Sequence, residues 1–197
     1  MSMDKPVEGY DAMDWPIIGH EWAVRQLRAA VAHDEVPHAL LITGPESVGK
    51  MTLAMTLAKT MLCKSREAAR ACGKCSACKR IDSENYPDLL LVVPEDPAKP
   101  TIKVDQIRAL ERFLYLTPAE STYKIAIVAP FETATTGAAN ALLKTLEEPP
   151  SYAHLILLAS DAETLLPTIV SRSQQLPLRP LDCGKIQRAL VAHWKLA

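Results

Sequence analysis

The run "HALLITGPESVGKMTLAMTLAKTMLC", His38 to Cys63, constrains the fold more than any other part of the chain. A short apolar stretch ends in Gly-Pro, as a buried strand does, and an apolar face at Leu53, Leu57, Met61 and Leu62 then marks a helix. Between them Gly44, Gly49 and Lys50 fit G-x-x-x-x-G-K. In that setting the spacing outlines a phosphate-binding loop. Glycines let backbone N–H groups close around phosphate oxygens, the helix start adds positive partial charge, and the lysine reaches the outer phosphates. The candidate nucleotide-binding residues are Gly44, Pro45, Ser47, Val48, Gly49, Lys50, Met51 and Thr52. Met51 stands where a hydroxyl normally holds Mg²⁺. Thr52 follows, but about 100° further around the helix. Whether the loop still binds ATP or ADP is left open by the motif.

The rest of the chain repeats the alternation. "HEWAVRQLRAAVAHDEV" places Val24, Leu27 and Val31 at helical spacing. "DLLLVV" reads as a second buried strand and "VDQIRALERFLYL" as a helix with Ile107, Leu110 and Leu114 in register. "YKIAIVA" is a third strand, "TGAANALLKTLEEPP" a helix stopped by its double proline, and "AHLILLAS" a fourth strand. "TLLPTIVSRSQQLPL" predicts a short helical turn and a last extended piece, and a new helical segment begins at Leu181. Strands alternating with helices predict an α/β fold, a parallel sheet covered by helices on both faces.

Composition narrows the function classes. The 197 residues are 48% apolar and 23% charged with a net charge of −1. That balance suits a soluble globular protein and argues against a free-standing nucleic-acid binder, which is usually strongly basic. No apolar run approaches the roughly 18 residues that span a bilayer, and the N-terminus is acidic and polar, unlike a secretory signal. A cytoplasmic protein with no membrane partner is expected.

Four of the five cysteines cluster as Cys63-x8-Cys72-x2-Cys75-x2-Cys78, and Cys183 stands alone. Four thiolates in tetrahedral array suit Zn²⁺ and leave no open position for water, so a metal here would be structural. Free thiols and an iron–sulfur cluster are the alternatives, although a ferredoxin-type cluster usually places its fourth cysteine downstream and before proline. Lys64, Arg66, Arg70, Lys74, Lys79 and Arg80 make the module basic, which balances thiolate charge.

"VDQIRAL", "ANALLKTLEEPP" and "LLPTIVSRSQ" together resemble the clamp-loader branch of the AAA+ ATPases, over about Trp15 to Leu190. The resemblance implies an AAA+ P-loop domain over 15–180 with a zinc module at 63–80. A tail at 1–14 precedes it, and a helical lid begins at 181–197. Zinc is favoured because the family carries a zinc module at this point. Family members continue into a helical collar, so the chain is expected to be a fragment or an unusually short member.

The implied function is that of a subunit helping to load a sliding clamp onto primed DNA, with other loader subunits as partners. In active relatives the third strand ends in acidic residues that place Mg²⁺ and the attacking water. Here "KIAIVAPFETAT" puts Ala129 and Pro130 there, and Glu132 lies two residues beyond and is expected to face elsewhere. With Met51, all three oxygen ligands are absent from their positions, so intrinsic hydrolysis is not expected. "SRS" matches a family arginine finger that reaches the neighbouring subunit's ATP, which makes Arg172 the candidate catalytic residue in trans. Ser160 or Asp161 falls where relatives sense the γ-phosphate; capping of the strand end is the other reading. The competing functions are an ATPase using Thr52 or Glu132 as substitute ligands, and a zinc-containing DNA-binding module.

Overall fold

The computed structural model describes residues 15–65 and 69–194. The expected tail at 1–14 and Arg66 lie outside the described residues. In chain order the elements are α1 (Glu21–His33), β1 (Ala39–Thr43), α2 (Lys50–Leu62), α3 (Ser76–Asp82), β2 (Leu89–Val92) and α4 (Val104–Tyr115). They continue through β3 (Lys124–Val128), α5 (Thr136–Glu147), β4 (Ala153–Ala159), α6 (Pro167–Val170), β5 (Gln174–Pro177) and α7 (Cys183–Trp194). Among the described residues no helix is long and apolar enough to cross a membrane.

The five strands form one parallel sheet in the order β2-β3-β4-β1-β5. Parallel strands need crossover connections, and helices supply them, so both faces are covered. Strand alternation divides the interior in two. Leu40, Ile42, Ile125, Ile127, Ile156 and Leu158 face α1, α2 and α3. Leu41, Ala126, Val128, Leu155 and Leu157 face α4, α5 and α6. A one-residue slip of any central strand would exchange these sets, so the register is strongly held.

One expectation needs correction, and one element was not foreseen. β2 is an edge strand whose Leu89, Leu90 and Leu91 are only half-buried, because only β3 pairs with it. The cysteine-rich stretch contains a helix, α3, which the periodicity did not announce. Its buried Ala77, Cys78 and Ile81 form a face only because Cys78 counts as apolar there. The last helix starts at Cys183 rather than at Leu181, and Leu181 packs so closely on Gly19 that a Cβ there would lie 2.3 Å from a leucine methyl.

Candidate functional site

The connection after β1 departs from the carboxyl ends of the strands, beside β4, where the strand order reverses. Open α/β sheets leave their ligand crevice at such a point. Gly44 donates its N–H toward the carbonyls of Ala159 and Ser160, at 3.2 and 3.1 Å, which ties the loop to the end of β4. Its φ is +146°, and a Cβ would meet the Leu178 carbonyl oxygen at 2.5 Å, so only glycine fits. Gly49, at φ +100°, turns the chain into α2. His20, buried and just ahead of α1, donates through Nε2 to the Val48 carbonyl at 3.1 Å. Sequence reading missed this anchor, since a lone histidine before a helix carries no signal of a partner 28 residues away.

Lys50 turns back into its own loop. Its Nζ donates to the carbonyls of Gly44 at 2.5 Å and Pro45 at 2.9 Å. Burial holds its pKa below the usual lysine value, and the carboxylates of Glu132 and Glu46 pull partly the other way. Ser47 adopts φ 60° and, like Pro45, is exposed. Met51 packs against the core beneath the loop, while Thr52 is exposed at the neighbouring helix position.

Glu132 requires a correction. It does not face away. Phe131 is buried and opens a 3-10 turn, Phe131–Thr133, which swings the next side chain across to β4. There Oε1 accepts the Ser160 N–H at 2.9 Å, and Oε2 is buried without a hydrogen-bond partner. Asp161 caps the following turn by accepting the Glu163 N–H at 3.1 Å, as the capping alternative requires.

Arg172 stands at the other end of the sheet. β5 begins opposite Leu40 and reaches Pro177 opposite Thr43, so roughly 10 Å of strand separates the arginine's end from the loop's end. Its Nη2 lies 2.6 Å from Glu147 Oε1, and Nη1 donates to the Thr168 carbonyl at 3.2 Å.

The four cysteines converge where α2 ends and α3 begins. Their sulfur atoms all lie within 4.8 Å of one another, with Cys63 and Cys78 buried. Backbone N–H groups point at the sulfurs: Cys72 at Cys63, Cys75 at Cys72, and Cys78 at Cys75, at 3.3 to 3.4 Å. Against the upward push of burial, the N–H groups of Cys78 and Lys64 bring Cys75 down to about 6. N–H groups of Lys74 and Cys75 lower Cys72, whereas burial raises Cys63 and Cys78. This donor set fits a tetrahedral soft cation. Cys183 lies apart and exposed. Arg80 is not a free cation of the module: it pairs with Glu120 at 2.5 Å and lies over the Tyr86 ring.

Sheet, loop and flanking helices define an AAA+ P-loop domain. Within that class, the chain belongs to the family described as DNA polymerase III, delta subunit, whose model matches residues 19–182. It is 42% identical over 138 residues to the DNA polymerase III subunit delta' of Pseudomonas aeruginosa, covering 70% of this chain and 42% of that protein. It is 38% identical over 168 residues to the subunit delta' of Bacillus subtilis, covering 85% of this chain and 50% of that one. The chain thus spans half or less of the length of these relatives. The crystal structure of a DNA polymerase III gamma subunit-related protein from Thermotoga maritima superposes with a TM-score of 0.62 at 30% identity, over 84% of this chain and 49% of that one.

Proposed function

We propose that this chain is the AAA+ part of a delta-prime-type subunit of the replicative clamp loader, and that it works beside ATPase subunits rather than as one. On this reading its partners are motor subunits and a delta subunit, and through the assembly the sliding clamp and primed DNA. The relatives named above support the setting. The observation that carries the role is the placement of Arg172: at the amino end of the sheet, at the surface, away from its own loop. An arginine there serves a neighbouring site better than its own. The loop's missing oxygen ligands at Met51, Ala129 and Pro130 support the same division of labour.

The test is ATP turnover by the loader reconstituted with Arg172→Ala. A loss of about 10³-fold is expected for an arginine finger; turnover equal to wild type would remove the reading. Intrinsic hydrolysis keeps one supporting observation, the Glu132 carboxylate turned toward the loop. Mg²⁺-dependent turnover by the isolated chain, abolished by Lys50→Ala, would establish it instead. For the cysteine cluster we propose one structural zinc on Cys63, Cys72, Cys75 and Cys78. Elemental analysis should return one zinc per chain, and Cys72→Ala should lose it. Salt-sensitive DNA binding by the isolated chain would favour the DNA-module reading.

A further inference from the structure

Two stretches that lie far apart in sequence meet at their charged ends. "LLKTLEEPP" closes α5 with Glu147, and "LLPTIVSR" passes through α6 to Arg172. The Glu147–Arg172 contact is 2.6 Å, with 51% of the carboxylate side chain and 36% of the arginine side chain exposed. The second support, the Thr168 carbonyl, belongs to α6, which starts at Pro167 and is pinned by buried Ile169. Glu147 in turn follows buried Leu142 and Leu146 on α5. The guanidinium is therefore held between two packed elements. A guanidinium is a planar fork of N–H donors. A carboxylate and a carbonyl on Nη2 and Nη1 fix its plane and leave other N–H groups outward, without a partner among the described residues.

We propose that Glu147 is the positioning residue of the Arg172 finger: it orders the guanidinium on its own chain before the neighbouring subunit's triphosphate arrives. This rests on the reading of Arg172 as a finger acting in trans. A long side chain already held in one orientation loses less freedom on reaching the transition state, and the gain appears in turnover rather than in substrate binding. A partly exposed ion pair adds little to folding stability, so the same residue should hardly move the melting temperature.

The experiment uses the fully assembled loader carrying wild-type chain, Glu147→Ala, Glu147→Gln, Arg172→Ala or the double alanine variant, with kcat and KM for ATP and the melting temperature of each chain. Glu147→Ala should lower kcat about tenfold with KM held within about twofold, and Glu147→Gln, which keeps a neutral acceptor, should recover part of that loss. The double variant should equal Arg172→Ala alone, since both changes remove one action. Wild-type kcat in Glu147→Ala, with turnover collapsed in Arg172→Ala, would overturn the proposal and leave the finger standing. An additive loss in the double variant would also overturn it, by showing that Glu147 acts elsewhere. Normal turnover in Arg172→Ala would remove both.

Discussion

Lys124 and Lys50 each set an ammonium among oxygens at one end of the same sheet, and their surroundings differ. Lys124 opens β3 and is 4% exposed; its Nζ lies 3.4 Å from Asp88, 3.3 Å from the Pro87 carbonyl and 4.0 Å from the centre of the Phe113 ring. Asp88 is fully buried and accepts backbone N–H groups from Ala119, Glu120 and Ser121 at 2.7 to 2.9 Å. That carboxylate has no slack: it fastens the turn before β3 to the start of β2. Lys50, by contrast, holds only two carbonyls of a loop that is exposed at Pro45, Glu46 and Ser47. The first lysine is fixed by a charge that can go nowhere. The second is parked on acceptors that an incoming phosphate could replace. If the loop binds a phosphate, Lys50 is free to serve it, whereas Lys124 is committed to Asp88.

The largest effect expected from this contrast falls on Asp88→Asn, which leaves the Lys124 charge buried without a counter-charge. A loss of about 3 kcal/mol in urea unfolding at neutral pH is predicted. A loss under about 0.5 kcal/mol would mean that the amino end is no more rigid than the loop. The pair also sets an acid limit. Burial pushes the Asp88 pKa up, but the three backbone N–H groups and Lys124 outweigh it and hold the group below its ordinary 3.8. A depressed carboxylate stabilises the fold fully above its unfolded value and loses that contribution as pH falls through the folded value. The wild-type advantage over Asp88→Asn should therefore hold from neutral pH to about 4 and shrink below it.

How much of this was legible in sequence follows the same division. The central strands were readable because burial on both faces forces unbroken apolar runs such as "ALLI" and "LILLA". The loop was readable because close backbone approach to Leu178 admits only glycine at 44. The cysteines announced themselves by spacing, and their sulfurs do converge. What stayed hidden depends on contacts between distant segments. Nothing near Asp88 marks it as the acceptor for residues some 30 positions later. Nothing in "EEPP" says that Glu147, rather than Glu148, meets Arg172. Glu132 was misread because a buried Phe131 sets the direction of the turn, and burial of that residue is a property of the packed whole.

Gly44→Ala tests the carboxyl end at intermediate size. The new methyl carbon would stand 2.5 Å from the Leu178 carbonyl oxygen, at a φ that L residues avoid. Backbone must move, so a cost of about 1–3 kcal/mol is expected in urea unfolding, with loss of any nucleotide binding seen by calorimetry. An unchanged midpoint would mean that the loop yields freely and that its shape is not enforced by Leu178, just beyond β5.

Lys50→Met is expected to change stability least, and it decides what the loop is for. The Pro45 carbonyl is at the surface and can turn to water when the ammonium is removed. The lysine is already held below its usual pKa by burial, so removing its charge relieves a cost as well as a pair of hydrogen bonds. The two effects oppose, and a net change within about 0.5 kcal/mol is expected. Nucleotide binding, measured by calorimetry without magnesium, should disappear in the same variant, because the Lys50 ammonium is the charge that reaches into the cradle. If Lys50→Met instead destabilises the fold as much as Asp88→Asn, the comparison collapses. Lys50 would then be a clasp for its own loop, the carboxylates of Glu132 and Glu46 would be its counter-charges, and the cradle would be a retired site kept for structure.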